Sequence, residues 1–277
     1  MKKILFLTAG ICLAVGIALA LTVVILGGDT LFRQGIYTNT PTEKTFTVED
    51  LFTSLSIEDV EGDITLLPSS DGTCRVDTVT VANTDYEIAV EDGTLTVRFL
   101  DHRRFLDRVG ILAGTKLTVY LPQQTYESFR VNTTSGDVKV KESAKTVTAV
   151  TVSGDVTFDG TADTLTLRTT SGDVSVKGEM NALTVSVITG DISLVNTTAD
   201  TLDAHTTSGD ITLRSCDAND LSLKTTSGDI TGSLRSPKNF SANATSGDIS
   251  VPASDTAAGA CRAETVSGDV KLTVENG

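Results

Sequence analysis

A single phrase, Ser-Gly-Asp followed by Val or Ile, recurs with little change along the second half of this 277-residue chain. Aligned on its glycine it falls at Gly136, Gly154, Gly172, Gly190, Gly209, Gly228, Gly247 and Gly268, in steps of 18, 18, 18, 19, 19, 19 and 21 residues. A period this short excludes a conventional closed domain. It means stacked units, each unable to bury its apolar face alone.

Each unit has the same grammar. Apolar residues stand two and four positions after the glycine, as in Val138 and Val140, Val156 and Phe158, or Ile211 and Leu213. A second pair stands seven and five positions before it, as in Leu165 and Leu167 or Leu202 and Ala204. Spacing of two is strand spacing with one face buried. No spacing of three or four occurs, and Thr, Val and Gly are dense, which excludes helix. The fold expected is an all-β, parallel β-solenoid of about eight coils of 18–21 residues. Like strands stack ~4.8 Å apart, giving a rod of roughly 38 Å. An 18-residue coil also suits a hexapeptide helix, but two apolar pairs per coil favour a flattened two-sheet form.

The length changes fall between the two pairs, in segments such as Asp159–Thr164, Val195–Thr201 and Arg214–Asp220. The Ser-Gly-Asp corner keeps its length, so the eight glycines read as structural turns, and the other corner reads as a free loop. On this alignment Cys261 stands in an apolar column and is expected to be buried. Cys216 falls in a variable loop and is expected at the surface. The chain closes on DVKLTVENG inside the eighth coil, leaving a sheet edge that invites end-to-end association.

Two columns carry chemistry. The aspartates Asp137, Asp155, Asp173, Asp191, Asp210, Asp229, Asp248 and Asp269 stack into a carboxylate ladder that offers oxygen ligands to calcium. The simpler reading is a turn in which Asp bonds nearby amides. The calcium-binding nonapeptide pattern recurs every nine residues, half this period. The threonines Thr133, Thr151, Thr169, Thr206, Thr225 and Thr265 would either present hydroxyls to a sugar or mineral surface or form a ladder within the sheet.

Residues 46–131 are strand-like but irregular, with a lone early Gly62-Asp63-Ile64 and a hairpin turn at Asp92-Gly93. They read as a cap on the rod (residues 132–277). Within the cap, RFLDHRRFLDRVG gathers Arg98, Arg103, Arg104 and Arg108 with His102, a candidate grip for an anionic partner, although Asp101 and Asp107 interleave.

The N-terminus sets the compartment. Ile4 to Leu26 is uncharged and apolar, ~34 Å long as a helix, enough to cross a bilayer. Lys2 and Lys3 precede it, placing residues 1–3 in the cytoplasm, a transmembrane anchor over 4–27, a linker over 28–45 and the rest outside. A cleaved signal peptide is the competing reading. Ala18-Leu19-Ala20 fits a cleavage pattern, but LTVVIL after it is an odd mature start. Net charge is −14, which excludes nucleic acid as a partner. No CxxC occurs and no cofactor is called for. Catalysis has no anchor either, because His102 and His205 lie far apart and the acids follow the period.

The run LTVYLPQQTYESFRVNTTSGDVKV, the serial T-x-S-G-D-[VI] units and the EGDI strand resemble the bacterial β-strand-repeat "putative adhesin" family, LiaG-like proteins among them. The resemblance implies an extracytoplasmic solenoid with no catalytic residues. The function expected is a membrane-anchored, non-catalytic adhesion or interaction scaffold, bound to an envelope protein or a cell-wall or host glycan. The alternatives are an envelope-stress accessory protein and, more remotely, a carbohydrate-active enzyme.

Overall fold

The computed structural model describes residues 40–103 and 114–275. The expected membrane anchor, most of the linker, Arg104 and Arg108 lie outside these. Among the described residues there are nineteen strands and no helix. The N-terminal region supplies β1 Thr42–Val48, β2 Ser54–Glu58, β3 Asp63–Pro68, β4 Cys74–Thr80, β5 Thr84–Glu91, β6 Thr94–Asp101 and β7 Lys116–Leu121. The repeat begins with β8 Ser128–Asn132, β9 Val138–Val140 and β10 Thr146–Ser153. It continues as four long strands, β11 Val156–Ser171, β12 Val174–Thr189, β13 Ile192–Ser208 and β14 Ile211–Ser227. It closes with β15 Ile230–Leu234, β16 Asn239–Ser246, β17 Ile249–Ser250, β18 Ala260–Ser267 and β19 Val270–Val274.

Successive coils pair in parallel and in register, as the period requires: Leu165 stands beside Leu183, Leu183 beside Leu202, and Leu202 beside Leu221. Both apolar pairs point inward and form one continuous core. The corner shows why glycine recurs. Gly209 has φ +149°, and a Cβ there would lie 2.1 Å from the Gly190 carbonyl oxygen. Every side chain is excluded by contact with the coil below.

Two expectations about the coil need correction. The segments between the apolar pairs are not free loops in the long strands: Thr161 pairs with Glu179, and Thr198 with Asp217. They add a third inward row, Ala144, Ala162, Met180, Ala199 and Ala218, all at most 8% exposed. The extra residue of a 19-residue coil is taken up as a bulge. Asn196 and Ser215 adopt φ near +50° (49° and 52°), and the register shifts beside them. The bulge resets the in-out alternation, so Cys216 faces inward at 0% exposure rather than lying at the surface. It stacks in the column of Thr197, and its thiol reaches the Leu194 carbonyl at 3.2 Å. Cys261 is buried as expected, and burial pushes its thiol up to about 11.

The order of the coils in space departs from their order in the chain at both ends. At the C-terminal end β18 lies between β14 and β16, and β19 lies between β15 and β17. The eighth repeat is therefore inserted beneath the seventh, and the outermost coil is β16–β17. The nine-residue connection Pro252–Ala260 is long because the chain must step over that coil and re-enter below it. At the N-terminal end β2 lies between β6 and β8, and β3 lies between β7 and β9. The lone Gly62-Asp63-Ile64 is thus a true coil corner, making nine with the eight of the repeat. Antiparallel strands close this end: β5 on β6, β4 on β7, and β1 on β4. Strand β1 starts at Thr42, inside the segment expected to be linker. Asp92 and Gly93, at φ 48° and 73°, make the expected hairpin turn.

Candidate interaction surfaces

The aspartate ladder is engaged with itself. The amide of each Asp donates to the Oδ1 of the Asp one coil away: Asp155 to Asp137 at 2.9 Å, Asp173 to Asp155 at 2.8 Å, and Asp210 to Asp191 at 2.8 Å. The series starts at Asp63, which receives Asp137. It follows the spatial order at the far end, where Asp269 bonds Asp229 and Asp248 bonds Asp269. The Asp248 amide, with Lys271 beside it, holds the Asp269 carboxyl below the usual carboxylate range. Among the described residues, no group of three or more His, Cys, Asp or Glu is arranged to hold a metal ion.

The threonine column points the other way, into the protein. All six members are buried. Four hydroxyls donate to a corner glycine of the adjacent coil, as Thr225 does to Gly209 at 3.0 Å and Thr265 to Gly228 at 3.0 Å. No hydroxyl array from this column is left for a sugar.

The arginine group separates into two kinds. Arg98 lies half-exposed on β6, paired with Glu58 at 3.1 Å and Glu87 at 3.7 Å. The Arg103 side chain is 4% exposed, held by Asp101 at 2.8 Å and Glu61 at 2.9 Å. Those bonds, Asp101's above all, raise its already high pKa further, so it is a fixed structural cation rather than a free contact. It braces a buried corner that the sequence pattern does not single out. Asp59 accepts the amides of Val60, Glu61 and Gly62 on one oxygen and the Tyr86 hydroxyl, at 2.6 Å, on the other. Burial, with the Asp59 charge beside it, pushes the Tyr86 phenol up. A Cβ on Gly62 would sit 2.8 Å from both Asp59 Oδ2 and Thr115 Oγ1, so glycine is required here by side chains rather than by backbone. Asp59 lies three before Gly62, in the threonine column. Extending the repeat alignment back to EGDI would have found it. Tyr86 has no comparable signal.

The third inward row forms the floor of a groove of about 540 Å³. Ala144, Ala162, Met180 and Ala199 supply the floor, and Thr161, Glu179, Asp163, Asn181 and Asp200 stand among the rims. Gln124 and Tyr126 line it from the loop before β8; Gln124 bonds the Phe52 carbonyl at 2.9 Å and Tyr126 the Pro122 carbonyl at 2.8 Å. Rim side chains bond across coils, Arg235 to Thr198 at 3.1 Å and Asn219 to Asp200 at 3.2 Å. The result is a methyl-lined floor with alternating donors and acceptors on either side. It runs across coils, so it matches an extended chain better than a compact small molecule.

Corner ladders, an inward threonine column and a parallel stack define the class: a capped β-solenoid whose aspartate and inward threonine columns bond coil to coil. The chain belongs to the Toastrack DUF4097 family, whose model matches residues 52–277. Among solved structures, a "putative adhesin" from Bacteroides fragilis is similar at 19% identity, over 84% of this chain and 97% of that one, with a TM-score of 0.52. A "putative lipid binding protein" from Parabacteroides distasonis has 15% identity over 84% and 97%, with a TM-score of 0.49. A "putative adhesin" from the same organism has 14% identity over 84% and 97%, with a TM-score of 0.43. No curated protein matches the sequence.

Proposed function

We propose that this protein is a membrane-tethered, extracytoplasmic rod acting as a non-catalytic adhesion or interaction scaffold at the bacterial cell surface. One observation carries the reading. The aspartate Oδ1 atoms, corner glycines and inward threonines that recur along the rod are engaged in holding coils together, whereas the groove rims change from coil to coil. The neutral-to-acidic rim selects against anionic polymers. It favours a neutral glycan or an extended peptide of an envelope protein. The apolar Ile4–Leu26 segment supports the tether.

The test is binding of the full-length protein, in vesicles, to cell-wall glycan fragments and envelope extracts. It is compared with a Glu179→Ala/Asn181→Ala variant of unchanged circular dichroism. Loss of binding in the variant supports the groove, and equal binding removes it. Protease access to the rod in intact cells checks the topology. Proximity labelling that returned only stress-signalling membrane proteins would favour the accessory role instead.

A further inference from the structure

The inserted eighth repeat leaves the seventh as the outer coil. Among the described strands, β16 pairs only with β18, and β17 only with β19. Phe240 and Ala242 are half-buried, although their column mates Leu221, Cys261, Leu223 and Ala263 are at most 3% exposed. Ile249 is 46% exposed where Ile230 and Val270 are 0%. The core is therefore cut open here.

Edges are normally guarded by charge. The opposite end follows that rule: β1 carries Glu43 and Lys44, and β5 carries Asp85, Glu87 and Glu91. Strand β16, NFSANATS, carries no charge in a chain of net charge −14. Its outward main-chain groups belong to alternate residues. The Asn239 amide points inward, to Gly259, so those of Phe240, Ala242 and Ala244 point outward. The Ser254 hydroxyl already satisfies the amide and carbonyl of Phe240, at 3.0 and 3.1 Å.

We infer that this edge pairs with the β16 edge of a second copy of the chain. An antiparallel two-fold centred on Asn243 sets Ala242 against the partner's Ala244 and Ala244 against the partner's Ala242. Each match exchanges two main-chain bonds and leaves Ser254 in place. At the two paired positions the core-facing side chains are the methyl groups of Ala242 and Ala244, and the partner strand turns away before Phe240, whose outward groups Ser254 holds. On the solvent face, Asn243 meets its own symmetry mate. The N-terminal ends of the two rods then point away from each other. With the tether proposed above, on which this step rests, the two copies join opposing membranes, and a few bonds per pair gain strength from many pairs.

Vesicles carrying the full-length protein test this. Wild-type vesicles dock with each other. Asn243→Glu and Asn243→Lys each set like charges face to face and weaken docking by about tenfold or more. Mixing vesicles that carry the Asn243→Glu variant with vesicles that carry the Asn243→Lys variant restores it. Wild-type vesicles that stay separate, an Asn243→Glu variant that docks like wild type, or a mixture that fails would each overturn the pairing. Co-flotation separates the two readings. If the protein does not float with lipid, the tether is refuted, and sedimentation of the unanchored protein then reads the edge by the same charge-swap pattern.

Discussion

Alanine at three corner glycines separates spatial order from chain order. A Cβ at Gly209 would lie 2.1 Å from the Gly190 oxygen, while ordinary contact begins at 3.4 Å, so the coils must separate by about 1.3 Å there. The Asp210–Asp191 and Gly190–Ser208 bonds, 2.8 and 2.9 Å, would stretch beyond 4 Å and fail. Two bonds at ~1 kcal/mol each, plus ~1–3 kcal/mol for a non-glycine residue in this region, give about 3–5 kcal/mol. For a domain this size that is a fall of roughly 10 °C in melting temperature. Gly268 and Gly247 meet the same obstacle, at 2.0 Å from Gly228 and 1.9 Å from Gly268 respectively. Gly268, last in the chain, lies inside the stack, so Gly268→Ala should match Gly209→Ala. Gly247→Ala need only lift the outer, half-covered coil, and should cost less than half as much, with early fraying. Thermal and urea melts followed by circular dichroism read all three. A mild Gly268→Ala beside a severe Gly247→Ala would restore sequential stacking and refute the insertion.

The remaining expectations concern the polar groups. Tyr86 has its pKa raised in the folded state, so its contribution is intact below the unfolded value of ~10 and is lost as pH rises above it. Tyr86→Phe should flatten that alkaline limb in melts taken against pH, at a cost of about 1–3 kcal/mol at neutral pH from the stranded Asp59 oxygen. Arg103→Ala removes the side-chain bonds to Asp101 and Glu61 and should cost about 2–4 kcal/mol, against under ~1 kcal/mol for half-exposed Arg98→Ala, both by urea titration. Asp191→Asn keeps the Oδ1 acceptor and should be near neutral, whereas Asp191→Ala loses it and should cost ~1 kcal/mol. Calcium should leave the melting temperature unchanged; a saturable rise would show the free ladder oxygens binding metal.

The sequence carried the coil because the coil is local. Period, corner glycine and two inward pairs are all set within 20 residues, and the register followed from them. What it hid was decided by contacts distant in the chain. The bulge at Asn196 and Ser215 looks like a loop insertion until neighbouring strands show the residues on either side of it paired, and Cys216 inverted for that reason alone. The Arg103 cluster reads as surface charge until Glu61, 42 residues earlier, is brought beside it. The insertion of the last coil had one local sign, the longer step of 21 before Gly268.

That insertion changes how the rod resists unravelling. A solenoid stacked in chain order frays from its ends, because the terminal coil has one neighbour and a free chain end. Here the described chain begins and ends its coils inside the stack: β2–β3 between two layers, and β18–β19 between two others. To leave, the last coil must break from both neighbouring coils at once, losing the Asp269–Asp229 and Asp248–Asp269 links together. The outer coil is tethered on both sides by chain that dives beneath it, and Glu275 adds bonds to Ser215 and Ser233 at 2.6 and 2.8 Å. The same topology that pins the inserted coil is what leaves β16 with one paired neighbour among the described strands. A pinned last coil and an edge strand without charge therefore come from one rearrangement.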